Sequence, residues 1–175
     1  MPATFEFNED NGTQTGSPLK GATRTTAVTQ VNWKNVDDVA TAYTASPITA
    51  GNNSYSKYTS GKFTGTFNSV GSGLFAHTAG VLGTGLTLKS AVTSTYATPT
   101  TTAVAAFSTD ITTVIAITSG AAVLFSTVGP EGASPTTSIA AAGWSQFLGT
   151  QLQTTGSAAA GDIGSITLTL RYNEN

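Results

Sequence analysis

Cysteine is absent from this 175-residue chain, histidine occurs once, and methionine once. Without cysteine there is no disulfide framework and no thiolate metal site. Zinc sites draw on His and Cys ligands, so one imidazole cannot build one. Calcium needs several carboxylates in a compact loop. The only adjacent acidic pairs, Glu9-Asp10 and Asp37-Asp38, lack the alternating spacing of such a loop and read as solvated turns. No metal or other cofactor is therefore expected.

Charge is also scarce, at 9% of residues with a net of −2, against about 25% in an average soluble protein. The basic residues Lys20, Arg24, Lys34, Lys57, Lys62, Lys89 and Arg171 are scattered. Nucleic-acid binding works by displacing condensed counterions with clustered cations, so no direct nucleic-acid partner is expected. No apolar run approaches the roughly 18 residues of a spanning helix, and no membrane partner is expected. The opening stretch Met1 to Asp10 has neither the basic start nor the apolar core of a secretory signal.

Catalytic signatures are missing as well. The lone His77 sits among Leu74, Phe75, Ala76, Thr78 and Gly80 with no G-x-S-x-G elbow in the chain, and reads as a structural, hydrogen-bonded histidine. Gly80-Val81-Leu82-Gly83-Thr84-Gly85 lacks the Lys-Ser/Thr that completes a phosphate loop. A non-enzymatic protein is expected, with no catalytic residue.

What the chain has in abundance is threonine, roughly a fifth of all positions, along with Gly, Ala and Ser. Threonine's branched Cβ is stiff and suits a pleated, half-buried surface. Period-2 alternation recurs in Val31 to Lys34, Tyr55 to Phe67, Leu86 to Thr93, Phe147 to Gln153 and Ile166 to Tyr172. Gly61 reads as a bulge or break. Asp110–Thr118 and Ala121–Thr127, split by Ser119-Gly120, suggest a hairpin. Ala-rich Ser138–Trp144 suggests a short helix. Eight to ten short strands with no long amphipathic helix predict an all-β, antiparallel β-sandwich, jelly-roll-like. Residues 1–21, rich in turn formers, are expected as an irregular N-terminal arm, with an edge strand at Thr4 to Phe7 as the alternative. Residues 22–175 are expected as a single sandwich domain.

Several phrases resemble those of a loose group of small virion structural proteins from tailed bacteriophages. They are Asn32-Trp33-Lys34-Asn35, Ile48 to Tyr55, Lys62 to Asn68, Tyr96-Ala97-Thr98-Pro99, and the closing Ile166 to Asn175. The resemblance covers roughly Val31 to Pro99 and the last ten residues. It implies a capsid cement or decoration protein that binds the major capsid protein, or a neck, tail or fibre component. Such a protein is assembled in the host cytoplasm, carried on the virion and released by lysis. Low charge favours the cement role, because protomers repeated on a shell repel one another less, and closed oligomers cover sheet edges. A homotrimer is the favoured form. Phe5 and Phe7 of the arm and His77 in the glycine-rich segment are the candidate interface residues, joined by Tyr43 and Tyr58 as the aromatics in turn-rich surroundings. A carbohydrate- or receptor-binding sandwich is the rival reading, and it requires exposed aromatics along a groove.

Overall fold

The computed structural model describes residues 2–78, 82–110, 121–159, 161 and 166–175. Its strands are β1 (Thr4–Thr15), β2 (Lys20–Thr25), β3 (Lys57–Thr64), β4 (Val70–Thr78), β5 (Leu86–Thr93) and β6 (Thr109–Asp110), then β7 (Ala121–Val123), β8 (Phe125–Ser126), β9 (Ser138–Ile139), β10 (Gly143–Ser145), β11 (Phe147–Thr154) and β12 (Thr167–Glu174). One 3-10 turn, Tyr43–Ala45, is the only helical element among the described residues. None of their helices is long and apolar enough to cross a membrane.

The strands form two antiparallel sheets, the expected all-β class. The larger runs β2-β1-β3-β11-β5-β6, with β10 bridging β3 and β8. The smaller runs β12-β4-β7, with β9 also on β4. Their inner faces meet in one apolar cluster: Phe63 and Leu148 come from the large sheet, and Val70, Phe75, Val123, Ile139 and Leu170 from the small one. This layering follows from alternation, since Leu168, Leu170 and Tyr172 of β12 share the face packed on that cluster.

A second cluster lies on the outer face of the large sheet. There Tyr58 and Phe147 are covered by Tyr96 and Phe107 from the long β5–β6 connection. The third is built by Leu88 and Leu152, with Trp33 and Ile48 packed on it.

Several expectations need correction. Residues 4–15 are no arm but the strand β1, which pairs with β3 over Thr4–Asp10 and with β2 over Glu9–Thr15, so the alternative of an edge strand holds for Thr4 to Phe7. The turn formers of this stretch serve the β1–β2 connection, and Phe5 and Phe7 pack on the core between the sheets. Of the strand-like stretch Ala22 to Val36, only the part up to Thr25 is strand, in β2; Val31 to Lys34 alternates yet forms none and belongs to a long connection whose Trp33 packs on the third cluster. Ser138–Trp144 holds the short strands β9 and β10 in place of a helix. Gly61 pairs regularly with Phe7 and marks a close approach. A Cβ there would stand 2.6 Å from both Phe5 and Leu170 side-chain atoms, so the position accepts no side chain without displacement. The hairpin at Ser119-Gly120 lies outside the described residues.

Candidate functional site

Charge is rare in this chain, and the fold uses most of it internally. Arg24 binds Asp10 through Nε at 2.6 Å and Nη2 at 2.8 Å, and the same Nη2 reaches Glu131 at 2.9 Å. Lys34, fully buried, contacts Asp38 at 2.8 Å. Lys57, also fully buried, contacts Glu9 at 3.0 Å. Lys62–Glu6 and Lys89–Asp110 form looser pairs, each at 3.5 Å. The solvated-turn reading of Asp37-Asp38 therefore fails. Asp37 accepts from Asn11 Nδ2 and the Gly12 N–H. The Lys34 ammonium and the Thr41 hydroxyl and N–H hold the Asp38 carboxyl well below the usual carboxylate range.

Lys20, Asp110, Arg171 and Glu174 are exposed, and much of the rest of the outer surface is left to hydroxyls. Thr13, Thr15, Thr23, Thr95, Thr98 and Thr101 are all exposed. Among the described residues, three large apolar side chains also stand in solvent: Leu19 at 45%, Tyr43 at 44% and Val128 at 73%. Leu19 lines a shallow depression with Glu131 and Gly132, next to the Val128 turn. Arg24 ties the strand after Leu19 to that turn through Glu131.

A cleft of about 1110 Å³ opens along the connection that follows β2. Phe7, Leu152 and Leu168 line it from the sheets, and Val31, Trp33 and Tyr43 from the connection. Trp33 is held in place by its Nε1–H donating to Thr150 Oγ1 at 3.1 Å.

Of the five candidate interface residues, only Tyr43 is presented to solvent. Phe5 and Phe7 are half-buried on the core, in a T-shaped contact with centroids 4.8 Å apart. Tyr58 is 2% exposed, beside Tyr96, because its parity places it on the covered outer face. His77 is 3% exposed and shares the inward face of Phe75. Neither of its ring nitrogens has a hydrogen-bond partner among the described residues, so the expected hydrogen-bonded histidine is corrected to an unsatisfied one. Desolvation lowers its proton affinity. Leu19 and Val128 were missed by sequence reading. The only signal was position, since each sits beside a Gly-Pro or Ser-Pro turn of the kind that carries residues outward.

No protein-family model matches the chain, and no curated protein and no solved structure matches it either.

Proposed function

We propose that this protein is a non-enzymatic virion structural protein, a capsid cement or decoration protein that binds the major capsid protein and stabilises the shell. One observation carries the reading: five of the seven cations are held in ion pairs within the chain, three of them at buried carboxylates or with buried lysines, so little unpaired charge faces outward. Protomers repeated at high density on a shell each add their field to their neighbours' field, and internal pairing keeps that sum small. A jelly-roll-like sandwich seated as a trimer on local three-fold positions fits this use. The apolar pair Leu19 and Val128, at adjoining turns, is the best-placed contact for a capsid partner, since exposed apolar groups rimmed by polar ones mark interaction sites.

Cryo-electron microscopy of the source particle tests the proposal. Trimeric density repeated over the capsid supports it. Density confined to the neck, tail or fibres moves the protein to that class, and a particle lacking the chain overturns the virion reading.

The cleft favours a second reading, a carbohydrate- or receptor-binding module, because Tyr43 stands exposed in its lining. A glycan screen, with Tyr43→Ala as the control, separates the two.

A further inference from the structure

The inner face of β1 changes character midway. Phe5 and Phe7 are followed at the same parity by Glu9 and Asn11, 1% and 5% exposed. The antiparallel register with β3 runs from Thr4↔Thr64 to Asp10↔Tyr58. Continued by one pair, it sets Asn11 opposite Lys57, whose side chain is completely buried. An amine, a carboxamide and a carboxyl group are thus enclosed together.

Their contacts are ordered. Glu9 Oε1 lies 3.0 Å from Lys57 Nζ and 2.9 Å from Asn11 Nδ2. Asp37 Oδ1 lies 2.8 Å from the same Nδ2 and 3.9 Å from Nζ. Both nitrogens therefore flank one carboxylate oxygen, while Asn11 Oδ1 is buried with no partner among the described residues. An ordinary ion pair accounts for Lys57 and Glu9. It does not account for an amide held between two carboxylates with its carbonyl unsatisfied, which ordinarily costs stability.

We infer that Lys57 and Asn11 become joined by an intramolecular isopeptide bond, with Glu9 as the catalytic proton carrier. Glu9 takes a proton from the Lys57 ammonium, and the amine so formed attacks Asn11 Cγ. The Cγ–Nζ bond forms as the Cγ–Nδ2 bond breaks. Glu9 passes protons from Nζ to the departing nitrogen, which leaves as ammonium, and the carboxylate is restored. Nothing is oxidised or reduced, and no co-reactant is needed. Exclusion of water protects the amine and carboxyl from competing hydration, and fixed geometry makes the attack effectively unimolecular. This inference is independent of the capsid reading, since such a cross-link would serve any protein exposed to mechanical or proteolytic stress.

Intact-mass measurement on the full chain tests it. The expected mass is about 17 Da below that of the sequence after allowing for the N-terminal methionine, through loss of ammonia. Tryptic digestion should give residues 1–20 joined to residues 35–62, because an acylated Lys57 resists cleavage. Glu9→Gln should restore the full mass. The inference is overturned by an uncross-linked wild-type mass. It is also overturned by a loss confined to residues 1–20, which would mean that Asn11 had closed onto the Gly12 nitrogen. A loss of about 18 Da within residues 35–62 would place the bond on Asp37 instead and overturn it as well.

Discussion

Arg24 closes on Asp10 as a fork, with Nε 2.6 Å from one carboxylate oxygen and Nη2 2.8 Å from the other. Asp10 is completely buried, so the guanidinium is what makes that carboxylate tolerable inside the fold. Removing one partner of such a pair leaves an uncompensated charge in a poorly solvating place, at a typical cost of about 3 kcal/mol or more. Arg24→Ala should lower the unfolding free energy by that amount, seen as a lower urea midpoint, and loosen the Glu131 turn. Arg24→Lys should recover only part, because an ammonium cannot reproduce the two-pronged geometry. Urea titrations of the three proteins check both expectations.

Phe5 separates a strand from an arm. Its ring packs 5.3 Å from Phe63 and 5.9 Å from Tyr172, centroid to centroid. Phe5→Ala should therefore destabilise the isolated protein by about 2–3 kcal/mol, as truncation of a partly buried aromatic does. Gly61→Ala attacks the same contact from the other side and should cost about 1–3 kcal/mol by overpacking. An arm that ordered only on a neighbour would leave the stability of the isolated chain unchanged in Phe5→Ala, and the cost of Gly61→Ala would then come from Leu170 alone.

Gln151 carries a load that its residue type conceals. Fully buried in β11, its Nε2 donates to the carbonyls of Ser54, Thr100 and Thr102 at 3.0, 3.1 and 3.0 Å, and its Oε1 accepts from the Val104 N–H at 3.0 Å. One amide thereby pins the threonine-rich connection against the sheet. Gln151→Leu keeps the bulk and strands these backbone groups, so a loss of about 2–3 kcal/mol is expected. Hydrogen exchange should quicken first at Val104, whose N–H loses its acceptor.

These cases show what could be read in the sequence and what could not. The β5, β11 and β12 strands were legible because one face of each is apolar along much of its length, as Leu168, Leu170 and Tyr172 illustrate. β1 was not, because its inward face passes from Phe5 and Phe7 to Glu9 and Asn11. Their partners, Lys57 paired with Glu9 and Asp37 accepting from Asn11, lie far along the chain. Val31 to Lys34 misled for the opposite reason: its alternation serves a connection that lays Trp33 on a core cluster. The candidate site suffered in the same way, since exposure of Tyr43 and burial of Tyr58 depend on which connection covers which face.

His77 should impose a pH dependence of its own. Burial lowers its proton affinity from the ordinary value of 6.5. The unfolded chain therefore binds a proton that the folded chain refuses. The sign follows directly: stability is fully present above about pH 6.5 and declines as pH falls through that value. Carboxylates such as Asp38, held low in the folded state, add their loss only below about pH 4. His77→Leu should flatten the slope between about pH 7 and 5 while leaving the acid limb intact, and it should not weaken the fold at neutral pH, since two unsatisfied nitrogens disappear with it. Urea midpoints across that range decide the matter; an unchanged slope would mean that the imidazole finds a partner in solution.

Leu19 and Val128 offer the sharpest test of the proposed contact with the capsid. Each is a large apolar side chain held in solvent on a turn, and neither belongs to any of the three core clusters. Placing a carboxylate at either position removes no core packing, so Leu19→Asp and Val128→Asp should shift the thermal midpoint by little, within the roughly 0.5 kcal/mol typical of surface changes. At an interface the same change is severe, because the new charge must be stripped of water without a partner. Both variants should therefore fail to co-sediment with undecorated shells while remaining folded. Tyr43→Ala, on the cleft, should bind shells normally. The reverse result, with Tyr43→Ala defective and both aspartate variants unaffected, would transfer the binding face to the cleft and favour the glycan-binding reading.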